Sequence, residues 1–206
     1  MRANADGPFV ARTTAAKLRL PATTADTCMG RLIIRGGLPA DAAALAAFAA
    51  RSFADTFGAA NDPAHLQAFL DATYGAEQQS RELADADTAT LLATLDGELV
   101  AYAQVHRGEA PACVGAADAV ELQRFYVDRA AHGSGVAQRL MQSVCAAARG
   151  FGARRLWLGV WERNPRAIAF YAKCGYVDVG SKTFDVGGDR QTDRVMLLPL
   201  DQAGAR

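Results

Sequence analysis

Residues 127–140 read VDRAAHGSGVAQRL, and the reading of the fold turns on them. The β-like run ELQRFYV (121–127) ends in this stretch, and the helical pattern GVAQRLMQSVCAAARG (135–150) begins in it. Between the two lie Gly133 and Gly135, separated by Ser134. The first turn of a helix has free N–H groups and a partial positive charge. Glycine removes the Cβ that would keep an anion from them. One reading is therefore a phosphate cradle made by the backbone of His132, Gly133, Ser134, Gly135, Val136 and Ala137, with the Ser134 hydroxyl added. The other is a strand-to-helix turn that binds nothing. A P-loop is excluded because no Lys follows these glycines. A dinucleotide fingerprint fits poorly: its third glycine position is Gln138, and the motif comes late in the chain, after a hairpin.

Working outward, the hydrophobic period assigns the neighbouring elements. Leu32 to Arg35 reads as a strand and Pro39–Gly58 as a helix. Asp62-Pro63 opens a second helix, with Leu66, Phe69, Leu70 and Tyr74 at helical spacing. AEQQSRELAD (76–85) reads as a third helix, short and mostly solvated. In TATLLATLDGELVAYAQV (88–105), Asp96-Gly97 stands between two apolar runs and signals a tight hairpin. Ala119 to Val127 is the next strand, and LWLGVW (156–161) is a buried one. Asn164-Pro165 opens a helix that ends at Gly175, with Asn as cap and Pro in the first turn. Two strands follow, 176–186 and 192–200. Strands and helices in this order give a mixed sheet with helices on its faces.

Composition narrows the class. The 206 residues suit one domain, here residues 31–200, with a short tail at 201–206. Residues 1–30 show no strong period and read as a disordered tail, or as the product of a start assigned too early, with the true start at Met29. Lys and Arg number 22, as do Asp and Glu, so the net charge of zero makes no case for nucleic acid or an anionic membrane. Apolar runs stop well short of the ~20 residues a membrane span needs. Four cysteines without a CxxC pair, and three histidines, suggest neither a metal site nor a disulfide framework, and point to the reducing cytoplasm.

Ala130–Gly135 (AAHGSG) fits the pattern Q/R-x-x-G-x-G/A except at Ala130. RFYV (124–127) precedes it, and LGVWERNPRAIAFYAKCGYVDVG (158–180) follows. With these motifs in this order, residues 31–200 resemble the GNAT family, the Gcn5-related N-acetyltransferases. The stretches 51–75 and 182–196, notably Gly187 and Gln191-Thr192-Asp193, are similar to bacterial PaiA-type acetyltransferases, which act on spermidine and spermine. The resemblance implies an α/β protein with a central mixed, mostly antiparallel sheet flanked by helices. It also implies acetyl-CoA as cofactor, a polyamine or similar small amine as acceptor, and direct attack within a ternary complex. Homodimers are common among such relatives, which sets the expectation for assembly. A peptide amine, an amino-sugar antibiotic, or acyl-CoA binding without turnover are the rival functions.

On that resemblance, Tyr171 is the general acid for the departing thiolate, and the backbone of Phe125, Tyr126 and Val127 takes the pantetheine arm and the oxyanion. Asn164 combines helix cap with cofactor contact, and Arg166 and Lys173 are candidates for the phosphates. Glu121, on the strand that leads into the site, is nominated as base. Glu162, Asp185 and Asp193 are named by region as partners for substrate cations. Cys174 could carry a covalent acetyl group, but its position before Gly175 fits core packing better.

Overall fold

The computed structural model describes residues 23–26 (backbone only), 30–115, 118–186 and 188–200. Met29, Gly187, and residues 1–22 and 201–206 lie outside the described residues. A short strand, β1 (Thr23–Asp26), pairs antiparallel with β2 (Arg31–Gly36). The sequence pattern predicts no strand within residues 1–30. The pairing depends on β2, which no local pattern in 23–26 reveals.

After β2 a 3-10 turn leads into α1 (Ala42–Phe57). Asp62 caps α2 (Pro63–Thr73), its Oδ1 accepting from the N–H of Ala64 at 2.8 Å and of His65 at 3.3 Å. Helix α3 (Ala76–Ala84) is not the solvated segment its polarity suggests. Gln79 and Leu83 are buried, and Glu82 pairs with Arg124 across the packing seam.

Strands β3 (Thr88–Leu95) and β4 (Glu98–His106) form the hairpin expected at Asp96-Gly97. Both turn residues have positive φ, 52° and 92°, the primed geometry that follows the strand twist. Then come β5 (Ala119–Val127), α4 (Val136–Gly150), β6 (Arg155–Trp161), α5 (Pro165–Lys173), β7 (Val177–Val186) and β8 (Asp189–Pro199). The strand order is β1-β2-β3-β4-β5-β6-β8-β7, and among the described residues only β5 and β6 pair in parallel.

One face of the sheet packs on α4 and α5, where Leu140, Val144 and Leu156 are fully buried. Each such side chain contributes roughly 1.5–3 kcal/mol by leaving water. The other face packs on α1 and α2 through Leu45, Phe53 and Tyr102.

The sheet is incomplete at its centre. Strand β5 pairs with β6 at Ala119, Val120 and Glu121 only, whereas its pairing with β4 continues to Val127. The β4–β5 register steps from Gln104↔Arg124 to Val105↔Leu122, which leaves Gln123 as an extra residue on β5. Such a bulge bends its strand and increases the twist. Beyond it β5 and β6 diverge and open a gap through the sheet.

Candidate active site

The gap is a cleft of about 530 Å³ that connects the two faces of the sheet. On the α4–α5 side it is lined by Gly133, Gly135, Ala137, Asn164, Phe170 and Tyr171. On the α1–α2 side it is lined by Phe53, Phe57, Trp161, Phe184 and a group of charged residues.

Asp128 N–H donates to Val100 C=O on β4 at 2.8 Å. Strand alternation then turns the N–H and C=O of Val127 and Phe125 away from β4 and into the gap, while those of Tyr126 point to β4. The side chains divide likewise. Phe125 packs on Phe170 and Tyr171, and Tyr126 stacks on Tyr102 under the opposite face. The Val127 carbonyl is already engaged, since His132 Nε2 donates to it at 3.1 Å. A carbonyl only accepts, so Nε2 carries the proton and Nδ1 accepts from Arg166 Nη1 at 2.9 Å. His132 thus ties the glycine loop to both β5 and α5.

Gly133 and Gly135 have φ of 81° and 84°, and a Cβ on either would meet no protein atom within 4 Å. Both face open space, as a backbone cradle requires. The first helical bond of α4 runs from Arg139 N–H to Gly135 C=O. The N–H groups of Gly135, Val136, Ala137 and Gln138 precede it and have no intrahelical acceptor. Ser134 contributes no hydroxyl to the cradle, because its Oγ donates to Ala131 C=O at 2.6 Å. The Val136 side chain is buried in the core, so only its backbone faces a ligand. In shape and chemistry the loop fits a diphosphate.

Asn164 Oδ1 caps α5 by accepting from Ala167 N–H at 3.1 Å, and the residue also lines the cleft. Tyr171 is 8 % exposed and sits among Phe125, Phe170 and Tyr176. Burial raises its phenol well above the ordinary value, with a smaller push from Cys174, so it stays protonated. Its hydroxyl has no partner among the described residues. Cys174 does not line the cleft, and burial pushes its thiol up to about 11, so it is no nucleophile at neutral pH.

Three of the charged positions named from sequence lie elsewhere. Lys173 is exposed at the end of α5 and does not line the cleft. Glu162 is exposed just after β6. Asp185 points to the outer face of β7 because its neighbours Phe184 and Val186 point inward, and its Oδ1 accepts from Gly188 N–H at 2.6 Å.

Glu121 and Asp193 do come together, with a residue that sequence reasoning missed. Lys182 on β7 reaches across the sheet face to Glu121 Oε1 at 3.1 Å, with Nζ 4.8 Å from the centre of the Trp157 ring. Its register partner on β8 is Asp193. The crossing is open because β6 has Gly159 beneath it: a Cβ there would stand 2.5 Å from Lys182 Cε and 2.9 Å from Asp193 Oδ2. Two signals could have located this group, the lone glycine in LWLGVW and the alternation that puts Lys182 on the same face as Phe184.

A sheet split at a bulged strand, a glycine loop at the split and a protonated phenol beside it make up one site, suited to a ligand that carries phosphate at one end. The chain belongs to the Acetyltransferase (GNAT) family, whose pattern matches residues 50–176, and is accordingly an N-acetyltransferase. It is 39% identical over 160 residues to an uncharacterised N-acetyltransferase of Mycobacterium bovis, covering 78% of this chain and 98% of that one. Among solved structures it is similar to the PaiA N-acetyltransferase of Thermoplasma acidophilum in complex with coenzyme A (TM-score 0.64, 20% identity, 82% of this chain and 98% of that one). It is also similar to a GCN5-related N-acetyltransferase of Rhodopseudomonas palustris (TM-score 0.65, 23% identity, 85% and 99%).

Proposed function

We propose that the protein transfers acetyl from acetyl-CoA to a small primary amine, with both substrates held in one complex. The observation that carries this reading is the continuity of the cleft: cradle, phenol and acceptor walls line one passage through the sheet. Acetyl-CoA, when bound, supplies the acetyl group as a thioester and leaves as the thiol. The amides of Gly133 and of Gly135 to Gln138 hold its diphosphate, and the N–H groups of Phe125 and Val127 orient the arm and support negative charge on oxygen. Tyr171 holds a proton at its hydroxyl for the departing sulfur. Juxtaposition in one passage makes a covalent acetyl-enzyme unnecessary. The free thiols of Cys113, Cys145 and Cys174 suit a reducing compartment and support a cytoplasmic location.

The polyamine reading draws on the sequence resemblance, and Asp193 is the acid in its favour. A second reading is favoured by the walls themselves. Phe53, Phe57, Trp161 and Phe184 suit a single ammonium carried on an apolar body, and Lys182 neutralises Glu121. Thiol release with spermidine, spermine, arylalkyl monoamines and a peptide N-terminus separates these. Turnover of the polyamines supports the first, and of arylalkyl amines alone the second. Tight CoA binding without thiol release from any amine would make the protein a binding module.

A further inference from the structure

Asp193 differs from Glu121, the other acid that lines the cleft. It is 8 % exposed, lines the passage, and receives no hydrogen bond or ion pair among the described residues. A largely buried carboxylate that lines a cleft and has no protein partner is a candidate functional group. The other charged and imidazole side chains that line the cleft are engaged. Glu121 is held by Lys182, Arg124 by Glu82, and His132 by Val127 and Arg166. The charged groups facing Asp193 are Lys182 from β7 and Glu121 from β5; β6 brings Gly159 and Trp161, and α1 turns Phe53 and Phe57 to the same chamber. Burial pushes the Asp193 carboxyl up to about 6, against the pull of Lys182 and with a further push from Glu121. A base in that range is ionised at neutral pH and still able to take a proton.

We propose that Asp193, rather than Glu121, takes the proton from the acceptor ammonium, an inference that rests on the N-acetyltransferase reading above. One N–H bond of the ammonium breaks, its electron pair stays on nitrogen as the lone pair, and the proton moves to a carboxylate oxygen of Asp193. From there it passes to water at the mouth of the cleft. Lys182 and Glu121 are positioning residues: the bridge between them holds a positive charge beside Asp193 and so keeps it ionised. Gly159 makes the arrangement possible by leaving the crossing bare.

The test compares wild type, Asp193→Asn and Glu121→Gln, each checked for melting temperature and CoA affinity. Carboxyl 13C NMR of aspartate-labelled protein, without cofactor or amine, is expected to give a resonance titrating near pH 6 in wild type and absent from Asp193→Asn. For an amine that wild type acetylates, kcat/KM is expected to rise through the same pH. Asp193→Asn loses that limb and about 10²–10⁴-fold in rate, whereas Glu121→Gln keeps the limb. Wild-type rate and limb in Asp193→Asn, a limb lost in Glu121→Gln alone, or no carboxyl titrating near pH 6 would each overturn the proposal while leaving the acetyltransferase reading intact. Failure of wild type to acetylate any amine, with that resonance present, would instead overturn the reading and the proposal with it.

Discussion

Arg124 Nη1 lies 2.6 Å from Glu82 Oε2, and the two side chains are only 10 % and 16 % exposed. The pair joins β5 to α3, and Gln104 extends it by donating to Glu82 at 3.0 Å and accepting from Arg124 at 2.7 Å. The Arg124 guanidinium also lies 4.9 Å from the centre of the Tyr74 ring, just beyond α2. The strand that lines the cleft is thereby fastened to α3 and to the end of α2.

Arg124→Ala should destabilise the protein by about 3–5 kcal/mol, because it leaves Glu82 buried and unpaired. Urea unfolding measures this, and a loss below ~1 kcal/mol would make the pair incidental. The same pair gives a pH signature. Burial raises the Glu82 carboxyl, but the hydrogen bond and charge of Arg124, with Gln78 and Gln104, outweigh it and hold the pKa below the usual range. The stabilisation is therefore present above the unfolded value of about 4.3 and fades as pH falls through the lowered one.

Asp193 has the opposite sign. Its folded value, about 6, lies above the unfolded one, so the protein loses stability as pH rises between the two. Asp193→Asn should melt higher than wild type at pH 7, by on the order of 1–2 kcal/mol, and the difference should vanish below about pH 4. Melting curves across pH decide it, and a gain that persists in acid would mean the cause is packing.

Tyr171→Phe removes one oxygen from the aromatic cluster and leaves its stacking in place. Turnover should fall about 10²-fold or more, while CoA affinity stays within about twofold. Isothermal titration and thiol-release assays give the two numbers; unchanged turnover would take Tyr171 out of the reaction.

Gly135→Val places a β-branched residue at a φ of 84° and a side chain over the cradle. The backbone strain costs about 1–3 kcal/mol, and CoA affinity should drop at least ~10-fold. Retained affinity would move the diphosphate elsewhere.

Most elements were legible in the sequence because their signals are local. Asp96-Gly97 specifies its own turn, Asn164-Pro165 its own helix start, and the 3.6 period of Val136, Leu140 and Val144 its own buried stripe. The positive-φ glycine turn at Gly133 and Gly135 was legible for the same reason, whereas Tyr171 was named only through the family resemblance. What stayed hidden depends on partners far along the chain. The polarity of α3 conceals Glu82 because its partner is 42 residues away. The ion-pair partner of Glu121, Lys182, lies 61 residues further on. Lys182 has no motif of its own, and its role depends on an absent side chain at Gly159.

The parting of β5 from β6 leaves unpaired main-chain groups of the kind that ordinarily recruit a neighbouring chain at a sheet margin. Here that margin is folded inward, between strands of the same molecule and beneath two helical layers. Under the function proposed above, the amide-bearing arm of the cofactor would take the place of the missing strand. An open β ribbon placed inside the fold in this way is shielded from the edge-to-edge pairing that an exposed sheet margin invites.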